Sequence, residues 1–199
     1  MADTSLLTRR HWIFDMDGTL THAAHDFAAF KAKYDLPPDR PILEYLRELP
    51  EDEAAQLNKR LNRWEEKLAR KATAADDAVR LLSYLDEQHY RLGILTRNSS
   101  KVASMTLQAA GLARFFNPRF VLGRDNAAPK PSPEGIQKIL TSWRAEPSDT
   151  VMVGDFQFDL EAGAAAGTAT VLIDRLGGRD WPCDVRVARL DALLPSSRW

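Results

Sequence analysis

Asp15 and Asp17 stand two residues apart, directly after the apolar run Trp12-Ile13-Phe14, and Gly18, Thr19 and Thr21 follow them. An apolar run bounded by Asp and Gly reads as a buried strand ending in a turn. Two carboxylates at this spacing leave an extended backbone on the same side. So close together they repel each other and are costly to desolvate, so they want a cation or a shared proton. Gly18 lets the backbone turn sharply, and the N–H groups around it can receive an anion. Taken alone, the heptad from Asp15 to Thr21 fits an ordinary strand followed by an Asp-Gly turn equally well.

Other polar residues fall at equivalent places. Thr96, followed by Arg97 and Asn98, ends the apolar run 91–96. Lys130 is fixed between Pro129 and Pro131. Asp155 follows Gly154 at the end of the run 150–154, and Asp159 comes four residues later. Each has an ordinary reading: a strand-end hydroxyl, a solvated loop lysine, a helix cap and a surface acid. Together they bring three or four acids, one hydroxyl and one amine to a single rim, because strand ends in an open α/β sheet share one crevice.

The elements that position them follow from periodicity. Strands are expected at 12–14, 91–96, 120–122, 150–154 and 170–173, with a short strand near 185–188 and a helical turn at 191–194. Helices are expected at 75–88, 99–110, 132–144 and 157–166. Strand runs apolar on both faces and alternating with helices imply an α/β fold, a Rossmann-like parallel sheet with helices on both faces. Residues 22–73 contain no convincing strand. Phe27, Phe30 and Tyr34 recur at helical spacing, a short helix is expected at 41–49, and a long charged one at 50–71. In the long helix Leu57, Leu61, Trp64 and Leu68 form the apolar stripe, Trp64 as insert core, with Arg60, Glu65, Glu66, Lys67 and Arg70 facing water. The expected division is an α/β core at 1–21 and 74–199, with a small all-α cap at 22–73 inserted after the first strand.

The 199 residues carry a formal net charge of −1, which argues against nucleic acid or an anionic membrane as the main partner. No apolar run approaches the roughly 20 residues of a membrane span. The amino terminus lacks the apolar stretch of a secretory signal, and the single Cys183 makes no internal disulfide. The expectation is a cytoplasmic protein, monomeric or a weak dimer.

The ordered set Asp15-Met16-Asp17-Gly18-Thr19, Thr96, Lys130-Pro131-Ser132-Pro133 and Gly154-Asp155 with Asp159 resembles the four motifs of the haloacid dehalogenase superfamily. The helical insert is similar to the cap of its phosphoglycolate-phosphatase-like branch. The resemblance implies a Mg²⁺-dependent phosphatase of small phosphorylated metabolites, phosphoglycolate-like or sugar phosphates. It assigns Asp15 as nucleophile and Asp17 as general acid and base. The metal set is Asp15, Asp17 through its main-chain oxygen, Asp155 and Asp159, the last directly or through water. Gly18, Thr96, Arg97 and Lys130 would bind the phosphoryl group. His22 and His25, beside the cap hinge, are candidate substrate contacts, with Arg124 and Asp125 weaker ones. A mutase of the β-phosphoglucomutase type would share nearly all these residues. A dehalogenase would lack the Asp17 equivalent, and a non-catalytic binding module would have lost a motif. Two departures stand out. Phe156 occupies a position where the family often has a small hydroxyl residue, and an insert of roughly fifty residues is short for the branch, which implies relaxed specificity.

Overall fold

The computed structural model describes residues 6–195. In chain order the principal elements are β1 (His11–Phe14), α1 (Phe27–Lys33), α2 (Ile42–Leu46), α3 (Glu51–Ala69), α4 (Asp76–Glu87), β2 (Arg91–Leu95), α5 (Ser100–Ala109), β3 (Val121–Leu122), α6 (Glu134–Trp143), β4 (Thr150–Gly154), α7 (Gln157–Ala166), β5 (Ala169–Ile173) and β6 (Val185–Val187). The six strands form one parallel sheet in the order β3-β2-β1-β4-β5-β6. From β1 the chain moves to β2 on one side, and from β4 to β5 on the other. The crevice where the order reverses therefore lies between β1 and β4, beyond their carboxyl ends.

Alternation along β1 ties both faces of the sheet to helices. Trp12 and Phe14 point into one layer with Leu81, Leu82 and Leu85 of α4 and Leu107 of α5. Ile13 points into the other, with Ile136, Ile139 and Leu140 of α6 and Ala162 of α7. Trp12, Ile13 and Phe14 have no solvent exposure at all. Burial of such side chains is worth about 1.5–3 kcal/mol each, so the strand that delivers Asp15 is firmly held.

Helices α1, α2 and α3 have an apolar cluster of their own, built on Phe30, Ile42, Leu57 and Leu61, with Tyr34, Leu36, Leu43 and Trp64 packed around it. Asp26 caps α1 by accepting the Ala29 N–H at 2.9 Å. Glu51, Asp52 and Glu53 in the first turn of α3 suit the positive end of its dipole. The chain enters and leaves this layer side by side. The His22 N–H donates to the Thr73 carbonyl at 3.1 Å, and Thr21 bridges Ala74 in antiparallel fashion.

The element ends differ from the sequence reading in ways local chemistry explains. Phe120 belongs to a 3-10 turn, Pro118–Phe120, so β3 keeps only Val121 and Leu122. Residues 22–26 are not helical; α1 starts where Asp26 can cap it. Helix α2 ends at Leu46, inside the expected 41–49. The larger correction is Glu65, expected on the wet side of α3. It is buried, 3% exposed, because α3 packs on α5 and Arg124 meets it there.

Candidate active site

Neighbouring strands bring the acids together. The Asp15 N–H donates to the Val153 carbonyl of β4 at 2.8 Å, so Asp15 leaves β1 next to the residues that lead into Asp155. Gly18 sits at φ +86°, and a Cβ there would come within 2.5 Å of the Asp155 carboxylate. Gly154 is needed for a different reason: its missing side chain leaves room for the Asp159 carboxyl, which a Cβ would meet at 2.2 Å. Carboxylate oxygens of Asp15, Asp155 and Asp159 all lie within 4.8 Å of one another. Hard oxygen donors so close suit a divalent cation that prefers carboxylates, as Mg²⁺ does.

Lys130, 1% exposed, reaches into this cluster. Its Nζ is 2.6 Å from Asp15 Oδ1 and 2.5 Å from Asp159 Oδ1. Asp159 uses its other oxygen to accept the Phe156 N–H at 3.0 Å, so both its oxygens are engaged by the protein. Asp155 is held more loosely. Thr19 Oγ1 lies 3.5 Å from its Oδ1, and Arg179 Nη1 lies 3.7 Å from its Oδ2.

One buried ammonium does not neutralise this many acids. Burial first, then the negative charge of Asp15, raises Asp155 to about 7. Asp159 is raised to about 6, chiefly by burial, with Lys130 opposing. Burial alone would lower Lys130, but Asp15 and Asp159 together hold it above its ordinary value. Asp17 is raised to about 7 by burial and by Asp15, against the Asn98 amide that donates to its Oδ2 at 2.6 Å.

Thr96, buried at the end of β2, lines the same cavity, its hydroxyl accepting the Asn98 N–H at 3.2 Å. His25 lines it as well, with Nδ1 3.8 Å from Asp17 Oδ1. Burial pulls this imidazole below its ordinary value, with Glu65 and Asp15 opposing. Arg97 is on the cavity wall, but its guanidinium is bound by both Glu44 oxygens at 3.0 and 2.7 Å and donates to the Lys130 carbonyl. His22 is exposed and is not among the residues lining the cavity. Arg124 and Asp125 do not face it either. Arg124 donates to Glu65, Asn62 and the Arg97 carbonyl, and Asp125 accepts the Ser100 N–H and hydroxyl. Trp64 packs against Phe30, Phe27 and His25 within the helical layer.

Two arginines escaped the sequence reading. Arg175 donates to the carbonyls of Gly18 and Thr19 at 3.3 and 3.0 Å and forms a two-pronged pair with Asp77, fixing the turn after Asp17. Arg179 donates to the Asp155 carbonyl. The available signal was position: Arg175 stands just beyond β5, on the same rim as the other strand ends.

Residues 30–173 match the haloacid dehalogenase-like hydrolase family, and the chain belongs to it. A haloacid dehalogenase-like hydrolase domain-containing protein of Arabidopsis thaliana is 30% identical over 94% of this chain and 80% of its own length. The pyrophosphatase PpaX of Bacillus mycoides is 37% identical over 45% of this chain and 41% of its own. Among solved structures, a predicted phosphoglycolate phosphatase from Haemophilus somnus superposes with a TM-score of 0.69 at 20% identity, covering 92% of this chain and 96% of that one. The fold and the membership agree with the resemblance in the motifs. Among the described residues no helix is long and apolar enough to cross a membrane.

Proposed function

We propose that the protein is a Mg²⁺-dependent phosphatase of small phosphomonoesters that works through an aspartyl phosphate on Asp15. The observation that carries this reading is the cluster of Asp15, Asp155 and Asp159 within 4.8 Å, with Lys130 bound to two of them. A phosphomonoester dianion could not approach so many acids unaided. Asp15, Asp155 and the main-chain oxygen of Asp17 would hold Mg²⁺, which would supply the positive charge that lets the carboxylates and the phosphoryl oxygens share one site.

The chain's own groups do the rest. Lys130 holds one oxygen of Asp15 while the other attacks phosphorus; the bond from phosphorus to the leaving oxygen breaks, and Asp17 gives that oxygen its proton. A group raised to about 7 is well matched to that donation near neutral pH. Asp17, now a carboxylate, takes a proton from water; the water oxygen attacks phosphorus, and inorganic phosphate departs with Asp15 regenerated. Thr96, Lys130 and the N–H groups after Asp17 hold the phosphoryl oxygens as charge moves across them. Asp159, whose Oδ1 holds Lys130 and whose Oδ2 accepts the Phe156 N–H, aims Lys130 and would orient the cation's shell, directly or through water. Residues 22–73 form the cap, hinged where His22 meets Thr73, and its closure excludes water during the first step.

Phosphate release from p-nitrophenyl phosphate, with Mg²⁺ and then with excess EDTA, tests the proposal. Release that depends on Mg²⁺ is expected. Full activity in EDTA, or none on any phosphomonoester, would overturn it.

A further inference from the structure

The cavity above the Asp15 carboxylate has a volume of about 490 Å³ and is walled by rings from two directions. On the cap side His25 stacks on Phe27, with centroids 5.2 Å apart and planes within 12°. On the core side Phe156 meets Phe158 edge-to-face at 5.0 Å and Trp181 at 5.2 Å. Phe27 and Phe156 are each 46% exposed, and only Leu176 joins them as an exposed large hydrophobic among the described residues. Two of the three thus face the one cavity that also holds the reactive acids. Two half-exposed rings turned into one site mouth offer faces on which an aromatic ligand group can pack.

The more enclosed charges that line the cavity are paired within the protein: Arg97 is taken by Glu44, and Glu65 by Arg124. Lys31 and Asp39, of opposite sign, also line it; the Lys31 amine donates to the Pro38 carbonyl at 2.9 Å in an exposed setting. A leaving group with its own carboxylate would have to break the Arg97 pair or settle for the solvent-screened Lys31, where an ion pair is worth little. One polar atom, in contrast, is unmatched: His25 Nε2 is buried with no hydrogen-bond partner, on a side chain 8% exposed. A buried polar atom of this kind is stabilised when a ligand supplies the missing hydrogen bond.

We infer that the preferred leaving group is an uncharged, flat aromatic ring bearing a polar substituent, so that the substrates are aryl or arylmethyl phosphates. The inference rests on the phosphatase reading above. It places the ring between Phe27 and Phe156 and its polar substituent at His25 Nε2.

The test compares benzyl phosphate with cyclohexylmethyl phosphate; benzyl alkoxide is the somewhat weaker base, so the ring is read from how the ratio changes in the aromatic-wall variants, which react with the same two alkoxides. Phosphoglycolate, phosphocholine and meta-hydroxybenzyl phosphate complete the panel. In kcat/KM, benzyl phosphate should exceed cyclohexylmethyl phosphate by about threefold to tenfold, the range of aromatic pair contacts. Phe27→Ala and Phe156→Ala should each erode that ratio. The meta-hydroxyl should improve on benzyl phosphate in the wild type and lose its advantage in His25→Phe. Only the ratio is read there, because His25 also lies near Asp17. Equal rates for the two rings, or a lead for phosphoglycolate or phosphocholine, would overturn the inference while leaving a phosphatase. Calorimetry with benzylphosphonate and methylphosphonate separates the remaining cases without turnover. Tighter binding of the benzyl compound in a protein that hydrolyses nothing would support the ring slot and sink the phosphatase reading. No preference in binding would sink the slot.

Discussion

At the rim of the sheet four aspartates crowd around one buried lysine that binds only two of them, whereas at the seam between the helical layer of residues 27–69 and the rest of the chain Glu44, Glu65 and Glu66 each have a cation of their own. Arg97 takes Glu44, and Arg124 takes Glu65. The outcome differs accordingly. At the rim Asp17 and Asp155 are raised to about 7. At the seam, burial would raise Glu44, but Arg97 holds it below the usual carboxylate range. Glu65, far more buried, stays above that range in spite of Arg124. Unbalanced charge marks the place built to receive something charged; balanced charge marks the place built to hold two parts of the chain together. The seam pairs also differ from each other, Arg124 and Glu65 being nearly closed off from solvent while Arg97 and Glu44 remain partly open.

Each side of this comparison can be broken separately. The largest effect belongs to the rim. Asp15→Asn is nearly isosteric and should reduce turnover on the order of 10⁴-fold or more while the circular dichroism spectrum and melting temperature stay near wild type. Substantial residual turnover would remove Asp15 from its role.

At the seam, Arg124→Leu leaves Glu65 buried without its partner and should cost about 3–5 kcal/mol in urea unfolding. Arg124→Leu combined with Glu65→Leu should be far less costly, because no uncompensated charge remains. If the double variant were as unstable as the single one, the pair would not be acting through its charges.

How much of this was legible in the sequence follows the same division. Asp15, Asp17, Thr96, Lys130 and Asp155 announced themselves because each directly follows an apolar strand or sits beside a fixing proline, and strand ends converge whatever the side chains beyond them do. The sheet and its helices were readable for the same reason: the runs of β1, β2, β4 and β5 are apolar on both faces. Glu65 was misread because a helix pattern reports only which side is apolar. It does not report that a cation from another element, 59 residues away in sequence, will meet an acid there. Arg97, placed with the phosphate ligands by its position after Thr96, turns to Glu44 on a helix it could not be matched to in advance. Arg175 has no periodic signal at all, and its role exists only once β5 lies beside β4 and Asp77 begins α4.

The next effect in size is on metal affinity. The Asp155 carboxyl, raised to about 7, keeps part of its proton at neutral pH, whereas a cation bound there requires it ionised. Mg²⁺ binding should therefore release protons at pH 7, and affinity should fall roughly tenfold per unit as pH drops below that value, flattening above it, for one coupled proton. Calorimetry in two buffers of different ionisation enthalpy reads the proton directly; a buffer-independent heat would contradict the raised carboxyl.

The smallest effect is expected at the open seam pair. Glu44→Gln should change stability by about 0.2–1 kcal/mol, since a partly exposed ion pair is screened by water. A loss as large as that of Arg124→Leu would mean that the two seam pairs are equivalent after all.

The central claim is that Asp15 becomes phosphorylated. Mass spectrometry of peptides from protein quenched in acid during turnover, with Mg²⁺ and a substrate with a good leaving group, reads this directly. The account predicts phosphate on the peptide containing Asp15, absent from Asp15→Asn and after EDTA, and accumulating in Asp17→Asn, where the hydrolytic water lacks its base. Turnover with no phosphopeptide in either the wild type or Asp17→Asn, or phosphate carried on another residue, would contradict it.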